Sequence, residues 1–418
     1  METAVPAIAF SYESPTPNEF RRALPIYLVE SLNSLAGTLL SVGAAFYMTD
    51  HFGWGMRQNF MLAAGQGLVY VPAALLAGKI SRKLGSKTAI CIANAVLLTL
   101  SVIACLLSQR ATVAVGVGVA ATLLAYTFSI GTTWPVLEGM IATGSATGLA
   151  KRLAIYNVVW PAAGAVAIAV EGVAIRYLHG GIFLIPAAMH LVVLLVMLTR
   201  KAEPTDAEHQ SHKPPVHPDL LRNRKLALWL SRTALPATYT VIYGVMPLMP
   251  FLAVMHPLKT TQQTAVASVW LFTRWAAFVG LALGTWWQTK PQLLIWAAVL
   301  MLVSYFGMTL PLTRGHYPIA DLIAMITWQA ALGAALGVVY SASLYFGMAL
   351  SEGSTEHGGY HEALIGVGWV LGPAAGALAQ TLHPGEVWAG IAAVGAVITL
   401  SVIVVMAVAI ILGRRADA

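Results

Sequence analysis

Twelve stretches of about 20 predominantly apolar residues follow one another along this chain, and that succession restricts its fold more than any other feature. They fall at 24–48, 58–78, 87–108, 112–140, 150–173, 181–199, 226–253, 264–287, 291–312, 317–346, 361–382 and 386–412. A helix needs about 20 such residues to cross about 30 Å of hydrocarbon, and no stretch alternates at period two as barrel strands do. Only 10% of residues are charged, against roughly 25% in soluble proteins. A water-exposed fold is therefore excluded. The expected fold is an all-α integral membrane protein of twelve transmembrane helices in contact with the lipid bilayer.

Lys and Arg set the orientation. With the N-terminus inside, seventeen of them lie on inner tails and loops and five, Arg57, Arg110, Arg176, Lys259 and Arg314, on outer loops. This positive-inside bias places both termini in the cytoplasm of a cell with an inner membrane. The net charge of +7 follows from topology, because the basic residues are spread over short loops and form no nucleic-acid surface. The start, METAVPAIAFSYESPTPNEFRR, has no signal-peptide order and reads as a tail over 1–23. Cys91 and Cys105 share the third stretch, about 21 Å apart along a helix and too far for a disulfide.

The longest polar interval, 200–225, holds Pro and three unevenly spaced histidines, His209, His212 and His217, and reads as a cytoplasmic linker. It divides the chain into six helices over 24–199 and six over 226–412, with a tail over 413–418. PAAGAVA from Pro161 and PAAGALA from Pro373 recur in the fifth helix of each half, and the segments before them align with a four-residue insertion. Two six-helix pseudo-repeats are the expected architecture, as in many transporters.

At these residues the chain resembles the major facilitator superfamily. GKISRKLGSK, from Gly78 to Lys87, is similar to that superfamily's signature between helices two and three. It keeps Gly78, Lys83, Gly85 and Lys87, with Arg82 in the usual Asp position and Ser86 in the usual Arg position. Gly359, Gly368, Gly372, Pro373 and Gly376 match the glycine pattern called the antiporter motif. The family carries it on helix five and this chain on helix eleven, while helix five has Trp160 before Pro161. TWPVLEG (Thr133 to Gly139) and YNVVW (Tyr156 to Trp160) resemble a bacterial branch of the superfamily. The resemblance implies a monomeric secondary transporter working by alternating access, with the glycines as a close-packed, moving helix seam.

Charge inside the hydrocarbon marks the candidate site, since an ionised side chain there is costly unless paired or hydrated. Arg274 lies mid-membrane on helix eight with Trp270 four residues before it, and reads as a binding surface for an amphipathic or anionic small molecule. Its other reading is an interhelical ion pair. Asn33 and Tyr239 are further candidate substrate contacts. Glu30, about six residues into helix one, is the candidate proton-coupling group, its other reading being a side chain that reaches the cytoplasmic interface, and its depth is matched by Arg232 in helix seven. Glu138, Arg152, Lys83 and Glu362, with Arg232, are candidate gate or charge-relay residues; His361 and Glu362 open helix eleven. Asp321 and Glu171 lie toward the outer face.

Enzymatic motifs do not form. His361-Glu362 lacks a second zinc-protease histidine, and neither a nucleophile elbow nor a phosphate-binding loop occurs. Met246, Met249, Met255 and His256 read as packing in place of Cu(I) ligands. No cofactor and no metal are expected. The resulting reading is proton-coupled export of a small organic solute. Nutrient or metal-ion import, or a non-transporting receptor or assembly factor on the same fold, are the alternatives.

Overall fold

The structure is a computed structural model and describes residues 17–416 except 143–148, 179, 201–222, 312, 314–315 and 351–354. The tail up to residue 16, most of the linker with Lys201, His209, His212, Lys213, His217 and Arg222, and Arg314 lie outside the described residues, as do the side chains of Arg22, Arg414 and Arg415. The helices are α1 (Pro17–Ser41), α2 (Ala44–Phe52), α3 (Met56–Leu84), α4 (Ser86–Leu107), α5 (Val113–Gly131), α6 (Trp134–Ala142), α7 (Leu149–Tyr177) and α8 (Gly181–Thr199). After residue 222 follow α9 (Arg224–Val245), α10 (Thr260–Ala267), α11 (Val269–Ala282), α12 (Leu293–Thr309), α13 (Pro318–Leu350), α14 (Thr355–Leu382) and α15 (Val387–Ala416). No strand occurs among the described residues.

Ten helical segments among the described residues are long and apolar enough to cross a membrane, against the twelve expected. The two that fall short have separate reasons. In α9, Ser231, Arg232, Thr238 and Thr240 dilute the hydropathy; α12 is apolar throughout but has 17 residues. Both contribute to the interior, through Leu230, Ala234 and Val241 on α9 and Leu294, Ala298 and Met301 on α12. Large apolar side chains such as Leu106, Leu195 and Ile403 stay exposed around the outside, as a lipid-facing surface requires.

Three expected spans divide into two α-helices each, and each division has a local cause. Span one stops at Val42 and Gly43, whose N–H groups both donate to the Thr38 carbonyl at 3.0 and 3.1 Å. Span four breaks at Thr132-Thr133, where the hydroxyls donate to the carbonyls of Ser129 and Ile130 at 2.7 Å each and Pro135 then sits in the first turn of α6. Span eight breaks at Ser268, whose hydroxyl donates to the Ala265 carbonyl at 2.7 Å. Conversely, the GKISRKLGSK segment is no extended loop. The helix of α3 runs through Leu84, and Gly85 alone, at φ +80°, turns the chain into α4.

Helix α14 begins at Thr355 and so places His361 and Glu362 nearly two turns inside it, deeper than the helix mouth expected from sequence. It lies between α3 and α9, and its glycines face both. Gly368 and Gly372 lie on α9; a Cβ at Gly372 would be 2.5 Å from the Thr240 carbonyl oxygen and 3.3 Å from Gly244 Cα. Gly359 meets the Ala74 carbonyl of α3, and Gly376 meets the Phe60 ring. From the other side, a Cβ on Gly67 of α3 would be 2.7 Å from the Trp369 carbonyl carbon. The backbones therefore touch, the contact that small residues permit between helices in lipid.

Pro161 and Pro373 both lie inside helices, α7 and α14. α7 packs on α1 and on α10 and α11, while α14 packs on α9 and on α3. Each Pro-bearing helix thus contacts the first helix on its own side of residues 201–222 and the second span on the other. Gly372→Ala is expected to destabilise the protein by about 1–3 kcal/mol through overpacking against backbone. Gly280→Ala, where a Cβ meets nothing within 4 Å, should leave thermal unfolding in detergent unchanged or slightly raised.

Candidate functional site

The breaks just described turn particular side chains inward. Helix α6 starts with Trp134 and carries Glu138 one turn on, α11 starts with Val269 and carries Trp270 and Arg274, and uninterrupted α1 carries Glu30 and Ser34. Arg152 of α7 secures the end of α6, its Nε donating to the Ile141 carbonyl at 3.0 Å and an Nη to that of Ala142 at 3.4 Å. A cation at a helix C-terminus satisfies carbonyls that have no intrahelical partner.

These elements line a partly open cavity with about 670 Å³ of empty space, solvent at its mouth included, from both sides of residues 201–222. Nine of its twenty lining residues are Trp or Tyr, which makes its walls flat and amphipathic. Tyr243 and Trp369 stack face to face at 3.7 Å and 4°, and Tyr70 joins Trp134 and Trp369 at 5.8 and 5.3 Å. Three charged residues line this cavity: Glu30, Glu362 and Arg274.

Arg274 is 3% exposed and is held by rings. Its guanidinium carbon is 4.5 Å from the Trp160 ring centroid, 5.3 Å from Tyr340, 5.5 Å from Phe278 and 5.7 Å from Tyr239. Cation–π attraction strengthens in such desolvated surroundings. One Nη donates to the Tyr239 hydroxyl at 3.1 Å, and Nε has no hydrogen-bond partner. A phenol and aromatic faces thus stabilise this cation where an interhelical ion pair was the other sequence reading. Its Nε is buried and leaves one donor of the guanidinium unused.

The carboxyls differ in their support. Glu30 accepts a hydrogen bond on Oε1 from Ser34 at 2.8 Å, while Oε2 makes none of good geometry although Tyr156 and Trp134 lie beside the carboxyl. Glu362 accepts one from the Tyr70 hydroxyl of α3. Glu138 is fully buried with neither oxygen hydrogen-bonded. It lies close to His361 and Glu362, the three presenting ligand atoms within 4.8 Å of one another.

Several predicted residues sit elsewhere. Asn33 is buried on α1 outside the cavity lining, with both side-chain polar atoms unpartnered. Glu30 lies 13 residues after the start of α1, and Arg232 eight after that of α9. Helix α1 begins at Pro17, within the segment read as tail, and its apolar span begins at Ala23, seven residues before Glu30. Arg232 is exposed and its guanidinium lies over Trp229 at 5.9 Å. Lys83 is exposed at the end of α3. Asp321 accepts from the Thr313 backbone N–H at 2.6 Å and its hydroxyl at 2.9 Å, closing the turn before α13. Glu171 is wholly buried against Gly43 at the end of α1. Sequence reasoning did not assign Tyr70, Trp134, Tyr156, Trp160, Tyr340 or Trp369 to the site. TWPVLEG and YNVVW were the available signal, since they supply Trp134, Glu138, Tyr156 and Trp160.

Removal of the Tyr70 hydroxyl tests how tightly this site is built. Tyr70→Phe leaves a buried carboxyl of Glu362 without its donor and should cost about 1–3 kcal/mol in thermal unfolding. The same change on a Glu362→Gln background should cost measurably less, and the double-mutant cycle reads that coupling.

The sequence model described as Major Facilitator Superfamily matches residues 26–357, which ends just before Gly359 and the glycine pattern of α14. A search of curated proteins finds no match. Among solved structures, the nucleoside transporter NupG superposes with a TM-score of 0.67 at 12% identity, covering 92% of this chain and 98% of that one. A point mutant of NupG superposes with a TM-score of 0.66 at 14% identity, covering 94% and 99%. At such identity the likeness concerns the fold.

Proposed function

The chain belongs to the major facilitator superfamily of secondary transporters, and on that premise we propose that it moves a small, flat, amphipathic organic solute by alternating access, coupled to protons through Glu30. The observation that carries this reading is the aromatic cavity lined by helices from both sides of residues 201–222, with Glu30 and Arg274 facing it. A cavity shared in that way is where rocking of two helix sets exposes a solute first to one side and then to the other.

The lining narrows the solute. Ring faces stack on a planar group, the Arg274 guanidinium forms part of the wall, and Ser34, Thr38 and Ser41 offer hydroxyls. Glu30 and Glu362 oppose a free anion, so an uncharged heteroaromatic with hydroxyl groups fits better than the anionic solute considered from sequence. Nucleosides have this chemistry and are the first probes to use. Glu30 is suited to a coupling proton because it is buried and lines the solute space.

The proposed setting is a bacterial inner membrane with both termini cytoplasmic, by the positive-inside distribution, and the chain acting as a monomer. The proposed helix sets are 24–199 and 226–412. Export in exchange for protons is the proposed direction, on the antiporter-type glycine pattern.

Reconstituted vesicles test the reading with labelled uridine and adenosine. Glu30→Gln should abolish pH-gradient-driven accumulation and retain counterflow, since exchange between two solute pools needs no net proton movement. Gradient-driven transport that survives this change removes Glu30 as the proton site. Arg274→Lys keeps the charge but loses the planar donor fork; it should weaken solute binding roughly tenfold, the loss of about one hydrogen bond to a charged group. Unchanged affinity in Arg274→Ala would show that Arg274 does not touch the solute.

A further inference from the structure

Beside the solute cavity, Glu138 of α6 meets His361 and Glu362 of α14, with one ligand atom from each within 4.8 Å of the others and all three side chains buried. The Glu138 carboxyl is wholly buried and makes no hydrogen bond of good geometry on either oxygen, with Tyr340 and Glu362 as its polar neighbours. It rests against Gly358, where a Cβ would stand 2.9 Å from Oε2, so the glycine makes its room. The His361 ring is held edge-on by Tyr340 at 5.4 Å, and Glu362 by the Tyr70 hydroxyl. An ionised, unpartnered carboxylate in such a place is strongly unfavourable unless a cation compensates it.

Charge and donor type indicate which cation. Glu30, Glu138 and Glu362 set three carboxyls against the single guanidinium of Arg274, so a fully ionised site lacks two positive charges. A divalent ion supplies them in one step. Two carboxylate oxygens and an imidazole nitrogen suit first-row transition ions, whereas Mg²⁺ and Ca²⁺ prefer oxygen alone. Ligand distances of about 2.0–2.2 Å put ligand atoms about 3.4 Å apart in a tetrahedral site. Small side-chain rotations would close the present spacing to that value.

We propose that Glu138, His361 and Glu362 form a binding site for a divalent transition cation, which ties α6 to α14 and arrests transport. The site joins a helix before residues 201–222 to one after them. It is assembled while α6 and α14 are together and opens, to load or release its ion, when they separate. The arrest rests on the transport reading above; the binding site does not.

Untagged full-length protein in detergent, titrated calorimetrically with MnCl₂ and ZnCl₂, tests the site. Wild type should bind one equivalent, and Glu138→Gln and His361→Asn should bind at least tenfold more weakly. A variant carrying His209→Ala, His212→Ala and His217→Ala should bind as wild type does. No binding, or binding lost with the linker histidines and kept in His361→Asn, overturns the site; His361→Asn decides it if Glu138→Gln does not fold. In vesicles, Zn²⁺ should suppress uridine counterflow by wild type at least tenfold and leave His361→Asn active. Bound metal with unchanged counterflow overturns the arrest. Absence of counterflow in metal-free wild type counts against the transport reading, while the titration still decides the site.

Discussion

In hydrocarbon, apolar side chains gain nothing by leaving lipid for one another, so helices are held by close contact and by polar groups that find partners. Here that contact is the insertion of α14 between α3 and α9, with Gly67 on the Trp369 backbone and Gly372 on the Thr240 carbonyl. The position of Trp369 follows from it, and so do its stack with Tyr243 and the meeting of Glu362 with Tyr70. One wall of the cavity is thus a by-product of backbone approach. A side chain at Gly372 would move α14 away from α9 and carry Trp369 and Glu362 with it.

The second constraint is charge. Arg274 remains in the interior because rings from α7, α9, α11 and α13 surround it and Tyr239 accepts from it. Glu30 has Ser34, one helical turn away, as its donor. Glu138 has no such donor. This gradation separates the roles proposed for them: a well-supported guanidinium suits solute recognition, a half-supported carboxyl facing the cavity suits proton exchange, and an unsupported carboxyl beside an imidazole suits a cation.

Membrane residence, all-helical class and most span positions were legible from apolar run length alone, because burying a helical backbone in lipid is a local requirement that each segment meets by itself. Span 181–199 agrees with α8 to the residue. The interiors of spans were less legible. The Thr132-Thr133 break depends on which carbonyl a hydroxyl finds, and the single-residue turn at Gly85 depends on how far α3 continues through Arg82 and Lys83. A hydropathy pattern carries neither. The helical start of α1 at Pro17, in a polar stretch read as tail, was hidden for the same reason.

Arg274, Trp270, Glu30 and Tyr239 could be picked out because a charged or polar residue in an apolar run is conspicuous one residue at a time, and all four line the cavity. Arg232 was equally conspicuous but lies exposed beside Trp229, since periodicity does not say which way a helix is rotated in its bundle. The aromatic box around Arg274 draws Trp160, Tyr239, Phe278 and Tyr340 from four helices, and the Glu138–His361–Glu362 cluster joins α6 to α14. By itself the sequence determined the solvent this protein folds in, its secondary structure and which residues are costly to bury there. Only the tertiary structure decided which of those residues share a cavity, because that depends on the rotation and crossing of helices set by contacts between residues far apart in the chain.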